Sequence, residues 1–137
     1  MPRIREVDRP IRVLLADDHV PIRKAVRELL EADPRFRVCG EVGTGLEAVR
    51  ASTDFRPDVA ILNIAMPEMN GFEAARMIRS VHPKCAVVIL SSHKNRQFEA
   101  EARRAGAQAF VAKSDAGAEL INAIEEAEIE DGFTVAK

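Results

Sequence analysis

Val59-Ala60-Ile61-Leu62-Asn63 is a short apolar run that ends on an amide, and three other runs in this 137-residue chain share its design. Leu14-Leu15-Ala16 leads into Asp17-Asp18, Val87-Val88-Ile89-Leu90 into Ser91, and Ala109-Phe110-Val111-Ala112 into Lys113. Near-continuous apolar runs, as opposed to alternating ones, mark strands covered by helices on both faces. They predict an α/β fold with a parallel sheet. Open sheets of this kind place their ligand crevice at the carboxyl ends of the strands. An acid pair, an amide, a hydroxyl and an amine are therefore expected to face one another there.

Outward from these runs, extended and helical patterns alternate along the chain. Strands are expected near residues 11–16, 36–41, 58–62, 85–91 and 108–112. The first helical segment carries Ile22, Ala25, Val26, Leu29 and Leu30 on one stripe. Pro21 is tolerated in its opening turn, and Asp33-Pro34 stops it. Thr44 with Glu47, and Asn70 with Glu73, have capping-box spacing and predict the starts of the second and third helices. A fourth helix turns Phe98, Ala102 and Ala105 inward and ends at Gly106. The fifth follows Asp115 and carries Leu120, Ile121, Ile124 and Ala127 inward. Its outer face is acidic through Glu125, Glu126, Glu128, Glu130 and Asp131, which reads as a solvated helix face.

The chain has the length of one domain with its own core. Apolar residues make up 47%, charged residues 31%, and the formal net charge is −2. That balance demands neither a nucleic acid nor a membrane as partner. No apolar stretch approaches the roughly 20 residues that span a bilayer, and Met1-Pro2-Arg3-Ile4-Arg5 lacks the apolar middle of a signal peptide. A cytoplasmic location is expected, with Arg3, Arg5 and Arg9 on a solvated arm. Cys39 and Cys85 fall on runs expected to lie too far apart for a disulfide, so two buried thiols are predicted.

The polar strand ends define a chemistry of their own. Adjacent carboxylates make a hard-oxygen site, and Mg²⁺ takes one or two carboxylates, keeps waters and recruits phosphate oxygens. Asp17 and Asp18 suit that role better than the alternative of one capping a helix while the other is solvated. Lys113 supplies a compact positive charge for a phosphoryl oxygen or for a carboxylate opposite. Ser91 offers a hydroxyl to an oxyanion, against the plainer role of a turn residue bonding nearby backbone. Ser92 duplicates the group, but Ser91 is the residue at the strand end.

Residues 11–130 resemble a response-regulator receiver domain of two-component signalling. The resemblance rests on Asp17-Asp18-His19, on Pro57-Asp58-Val59, on Met66-Pro67 and Asn70-Gly71, on Ser91-Ser92-His93, and on Ala105-Gly106-Ala107 before Phe110 and Lys113. It implies a CheY-like, flavodoxin-like three-layer fold with five parallel strands in the order 2-1-3-4-5 and five helices. The domain would occupy residues 11–130, between an N-terminal arm (1–10) and a tail or the start of a linker (131–137). The Asp-Asp-His opening and the Lys113-Ser114-Asp115 junction are similar to the branch usually joined to a helix-turn-helix DNA-binding domain. The chain stops at Lys137, so such an output domain is expected to be missing from it.

The resemblance also assigns roles. Asp18 ligates Mg²⁺, Asp17 assists through water, and the Ala65 carbonyl adds an oxygen. Lys113 contacts the phosphoryl group, and Ser91 follows it while Phe110 moves inward, reshaping the face of the fourth and fifth helices. The partner implied is a sensor histidine kinase or phosphotransfer protein. A homodimer is compatible with the family; direct nucleic-acid contact by this domain is not expected, because Arg103-Arg104 is an isolated basic pair.

Asn63 departs from the family at its phosphoacceptor position, where receivers carry aspartate. An uncharged amide is a far poorer nucleophile than a carboxylate. Its oxygen can still ligate a metal, but the site loses one negative charge and Mg²⁺ should bind more weakly. The amide is also able to bond Lys113 or Ser91 and hold them quiet. Two accounts follow: a substitution giving a non-phosphorylatable form of an ordinary regulator, which the otherwise complete residue set slightly favours, or a natural atypical receiver acting through protein interaction. No enzymatic turnover is expected in either.

Other classes fit less well. A flavin-binding protein would want a hydroxyl-rich phosphate loop after the first strand and aromatics over the ring, whereas this chain has Asp17-Asp18 there and neither Trp nor Tyr. An aspartyl-phosphate phosphatase uses alternating acids in place of an adjacent pair. His19, His82 and His93 are expected at the surface without a chemical role.

Overall fold

The computed structural model describes residues 9–129 and 134–135. The chain alternates strand and helix: β1 (Ile11–Ala16), α1 (Val20–Glu31), β2 (Phe36–Val42), α2 (Gly45–Phe55), β3 (Val59–Asn63), α3 (Gly71–Val81), β4 (Ala86–Ser91), α4 (Arg96–Arg104), β5 (Ala109–Ala112), a 3₁₀ turn (Lys113–Asp115) and α5 (Ala116–Ile129). Five strands pair in parallel in the order 2-1-3-4-5. A sixth, Thr134–Val135, adds to the outer edge of β5, with Thr134 opposite Ala109 and Val135 opposite Phe110. This last strand was not expected from the sequence, where two residues are too few to make a pattern. The expected arm lies outside the described residues through Asp8, as do Glu130 and Asp131 and the rest of the tail except the sixth strand.

The two faces of the sheet divide the apolar residues by strand alternation. Val13, Leu15, Ile61, Val88 and Val111 pack with Val26 and Leu30 of α1 and with Leu120 and Ile124 of α5. Leu14, Leu62, Val87, Ile89 and Phe110 pack with Ala48 of α2, Phe72 and Ile78 of α3, and Ala102 of α4. The small alanines on α2, α3 and α4 let those helices lie close to the sheet.

Local chemistry sets the helix starts. Thr44 Oγ1 accepts from the Glu47 amide at 3.0 Å, and Asn70 with Glu73 closes a reciprocal capping box ahead of α3. Asn95 Oδ1 caps α4 by accepting from the amides of Gln97 and Phe98, a cap that could have been read from an Asn before the Phe98 stripe. After α4, Gly106 takes φ +94°, as its position past a helix end requires.

Four expectations are corrected by burial. Ala25 is exposed on α1, because the helix turns Val26 and Leu30 inward with Ile22 and Leu29 at the margin. Glu128 belongs to the buried side of α5 and not to its acidic outer face. His82, expected at the surface, is buried with Nε2 3.0 Å from the Pro57 carbonyl.

Cys39 is the fourth: β2 is an edge strand, so this thiol is half-buried while Cys85 is fully enclosed. Burial raises both thiols, and pushes Cys85 up to about 12. Because the thiolate is the reacting species, a disulfide-exchange reagent should modify one thiol in the folded protein and the second only after denaturation. Rapid modification of both under native conditions would contradict this burial.

Candidate functional site

The sheet reverses its direction of growth between β1 and β3, so the ends of those strands border a crevice. Asp17 follows β1 directly, Asn63 is the last residue of β3, Ser91 the last of β4, and Lys113 follows β5. Ladder pairing sets Ala16 beside Leu62, Asn63 beside Leu90, and Ser91 beside Ala112. The polar residues that end four separate apolar runs are thereby brought to one edge.

Asp17 is 4% exposed and tightly held. Its Oδ1 accepts from the His19 amide at 2.9 Å and its Oδ2 lies 2.9 Å from Lys113 Nζ. The lysine thus pairs with the carboxylate opposite, one of its two expected uses. Asp18, in contrast, is exposed at the rim.

Asn63 is buried, and its Nδ2 donates to the Ala65 carbonyl at 2.7 Å and reaches Asp18 Oδ1 at 3.5 Å. Lys113 and Ser91, the partners open to it on the sequence, are not the ones it takes. Electrostatics explains the choice: a carbonyl and a carboxylate face the amide, and turning its oxygen toward them would set three acceptors together without a donor.

Ser91 is 2% exposed, with its hydroxyl donating to the His93 carbonyl at 2.9 Å and accepting from the His93 amide at 3.1 Å. That is the turn role weighed as its plainer alternative, here at a residue that also ends a central strand. Lys94 pairs with Asp115 at 2.8 Å, tying the loop after Ser91 to the 3₁₀ turn that carries Lys113.

Arg23 was missed in the sequence. Its guanidinium donates to the Asp17 carbonyl at 2.6 Å and to the Val42 carbonyl at 3.4 Å, and lies 3.5 Å from Glu41. It ties the backbone at Asp17 to the end of β2. Since its partners are mainly backbone carbonyls, no residue pattern announced it.

The loop between β3 and α3 is fixed at both ends. Its start carries the Asn63 amide bond to Ala65, and its end the Gly71 amide donating to the Ile64 carbonyl at 2.8 Å. Glu68 takes φ +69° within it.

The oxygens of Asp17, Asp18 and Ala65 are the hard donors a divalent cation prefers. The amide as oriented does not fit the same set, because it presents N–H toward those oxygens. Among the described residues, no group of three His, Cys, Asp or Glu side chains is placed to hold a metal ion. Nor is any described helix long and apolar enough to cross a membrane.

A family model for the response regulator receiver domain matches residues 13–125. The chain is 37% identical over 116 residues to the DNA-binding transcriptional activator DevR/DosR of Mycobacterium tuberculosis, covering 85% of this chain and 54% of that protein. Its fold matches the LuxR-family two-component response regulator of Aurantimonas sp. SI85-9A1 with a TM-score of 0.81 at 34% identity, over 85% of this chain and 84% of the other. The response regulator domain of Thermotoga maritima CheB gives a TM-score of 0.81 at 30% identity, over 88% and 97%. The chain spans about half the length of the curated transcriptional regulators it matches. By sequence and by fold, the chain belongs to the response-regulator receiver domain family.

Proposed function

We propose that this chain is a two-component receiver that cannot accept a phosphoryl group, because Asn63 stands where the acceptor carboxylate would be. The observation that carries this is the company Asn63 keeps. It sits at the end of β3 with Asp18 and the Ala65 carbonyl against its side chain, while Lys113 and Ser91 end neighbouring strands. In such a centre Asp17, Asp18 and the Ala65 carbonyl would hold Mg²⁺, which would neutralise charge on an incoming phosphoryl group. Lys113 would contact that group and Ser91 with Phe110 would respond to it. A phosphodonor, either a sensor histidine kinase or a phosphotransfer protein, is the partner this assignment calls for. With the rest of the residue set in place, Asn63 reads as a substitution in an ordinary receiver of the kind found in transcriptional regulators such as DevR/DosR.

A second possibility is favoured by one observation: Asp17, Asn63 and Ser91 all have partners within the chain. A pocket satisfied in this way suits a phosphorylation-independent interaction module.

Intact mass after incubation with acetyl phosphate and Mg²⁺ separates these outcomes. The chain as given should remain unmodified, and Asn63→Asp should gain one phosphoryl group. If the variant folds and stays unmodified, the centre lacks more than its nucleophile and the interaction module becomes the better account. Labelling of the unaltered chain would reveal a different acceptor and overturn the proposal.

A further inference from the structure

We infer that Asn63 acts as an internal substitute for the divalent cation, so that the pocket is held together by the chain's own donors and excludes Mg²⁺ by competition. This rests on the receiver centre proposed above and adds a role for the amide within it. Two donors balance the acidic crevice: Lys113 Nζ on Asp17 at 2.9 Å, and Asn63 Nδ2 on the Ala65 carbonyl at 2.7 Å with Asp18 Oδ1 at 3.5 Å. The oxygens touched by the amide are those with which a hard cation would form its bonds. An entering cation must break the contact to Ala65, give up that to Asp18, and leave an N–H group facing a positive charge unless the amide turns over.

Asn63 therefore does more than lack a charge. A passive amide would offer its oxygen as a weak ligand, and its removal would weaken Mg²⁺ binding. A competing amide blocks the oxygens, and its removal frees them. The two behaviours predict opposite signs for Asn63→Ala.

Calorimetric titration of Mg²⁺ into the chain, Asn63→Ala and Asn63→Asp tests this. The alanine variant should bind about threefold to tenfold more tightly than the chain, the range that one net hydrogen bond provides. The aspartate variant should bind at least tenfold more tightly than the chain, since it also restores a charge at short range. Weaker binding by Asn63→Ala than by the chain would overturn the inference and make the amide an oxygen ligand. Absence of binding by a folded Asn63→Asp would instead overturn the receiver-centre proposal.

A second readout uses the chain itself, free of any concern for variant folding. The Asn63 side-chain amide protons should keep their NMR positions at the Mg²⁺ concentrations that saturate Asn63→Asp, because the contacts to Ala65 and Asp18 stay intact there. Shifts saturating at the concentrations that saturate Asn63→Asp would equally overturn the inference.

Discussion

Gly71→Ala is expected to destabilise the domain by about 3 kcal/mol, the upper range for forcing an extra methyl into a packed site. A Cβ on Gly71 would lie 2.1 Å from the Asn63 carbonyl oxygen and 2.9 Å from its carbonyl carbon. Both atoms are backbone at the end of a central strand, so no side chain can swing aside to make room. Propensity alone points the other way, because alanine is better than glycine in a helix by about 0.5–1 kcal/mol. The steric term must therefore win for the variant to lose stability. Gly117, near the start of α5, gives the matched control: a Cβ there meets nothing within 4 Å. Urea unfolding should show Gly71→Ala shifted to a lower midpoint with an unchanged slope, and Gly117→Ala at or above the parent. A neutral Gly71→Ala would mean that α3 can move away from the Asn63 backbone. In that case the β3–α3 loop is not the rigid frame it is taken to be.

The same loop shows how far sequence could carry the description. Asn70 and Glu73 announced the start of α3 because a capping box is local, with both partners within one turn. The strand runs announced the sheet because burial on both faces leaves an unbroken apolar pattern, as in Val59–Asn63. The order 2-1-3-4-5 came through the family resemblance and is now seen in the pairing, since periodicity says nothing about which strands become neighbours. What escaped notice depends on partners distant in sequence or on backbone atoms. Arg23 bonds the carbonyls of Asp17 and Val42, and Arg12 Nη1 donates to the Phe55 carbonyl at 2.6 Å at the end of α2. Gln108 places Oε1 2.8 Å from the Val87 amide, completing a strand-edge bond that no motif encodes. The direction of the Asn63 amide belongs to the same group. Residue type allowed several partners, and only the placement of Ala65 and Asp18 around it selected two.

Phe110→Ala is expected to produce the larger loss, about 3–5 kcal/mol, the usual range for truncating a buried aromatic ring. Phe110 is 1% exposed and packs in the layer formed with α2, α3 and α4. Its backbone is held between Ile89 of β4 and Val135 of the sixth strand. The family resemblance assigns this position to a switch that turns inward when a phosphoryl group arrives, yet here the ring is enclosed while Ser91 is engaged with His93. A ring that spends most of its time outside would be mainly solvated already, and its truncation would cost about 1 kcal/mol or less. Equilibrium unfolding of Phe110→Ala thus measures the population as well as the packing. A loss of about 3 kcal/mol or more places the ring in the core of the unphosphorylated chain, so any output from this receiver begins with that side chain already in. A loss near 1 kcal/mol returns Phe110 to a freely moving switch, and the inward position would then be only one of two exchanging states.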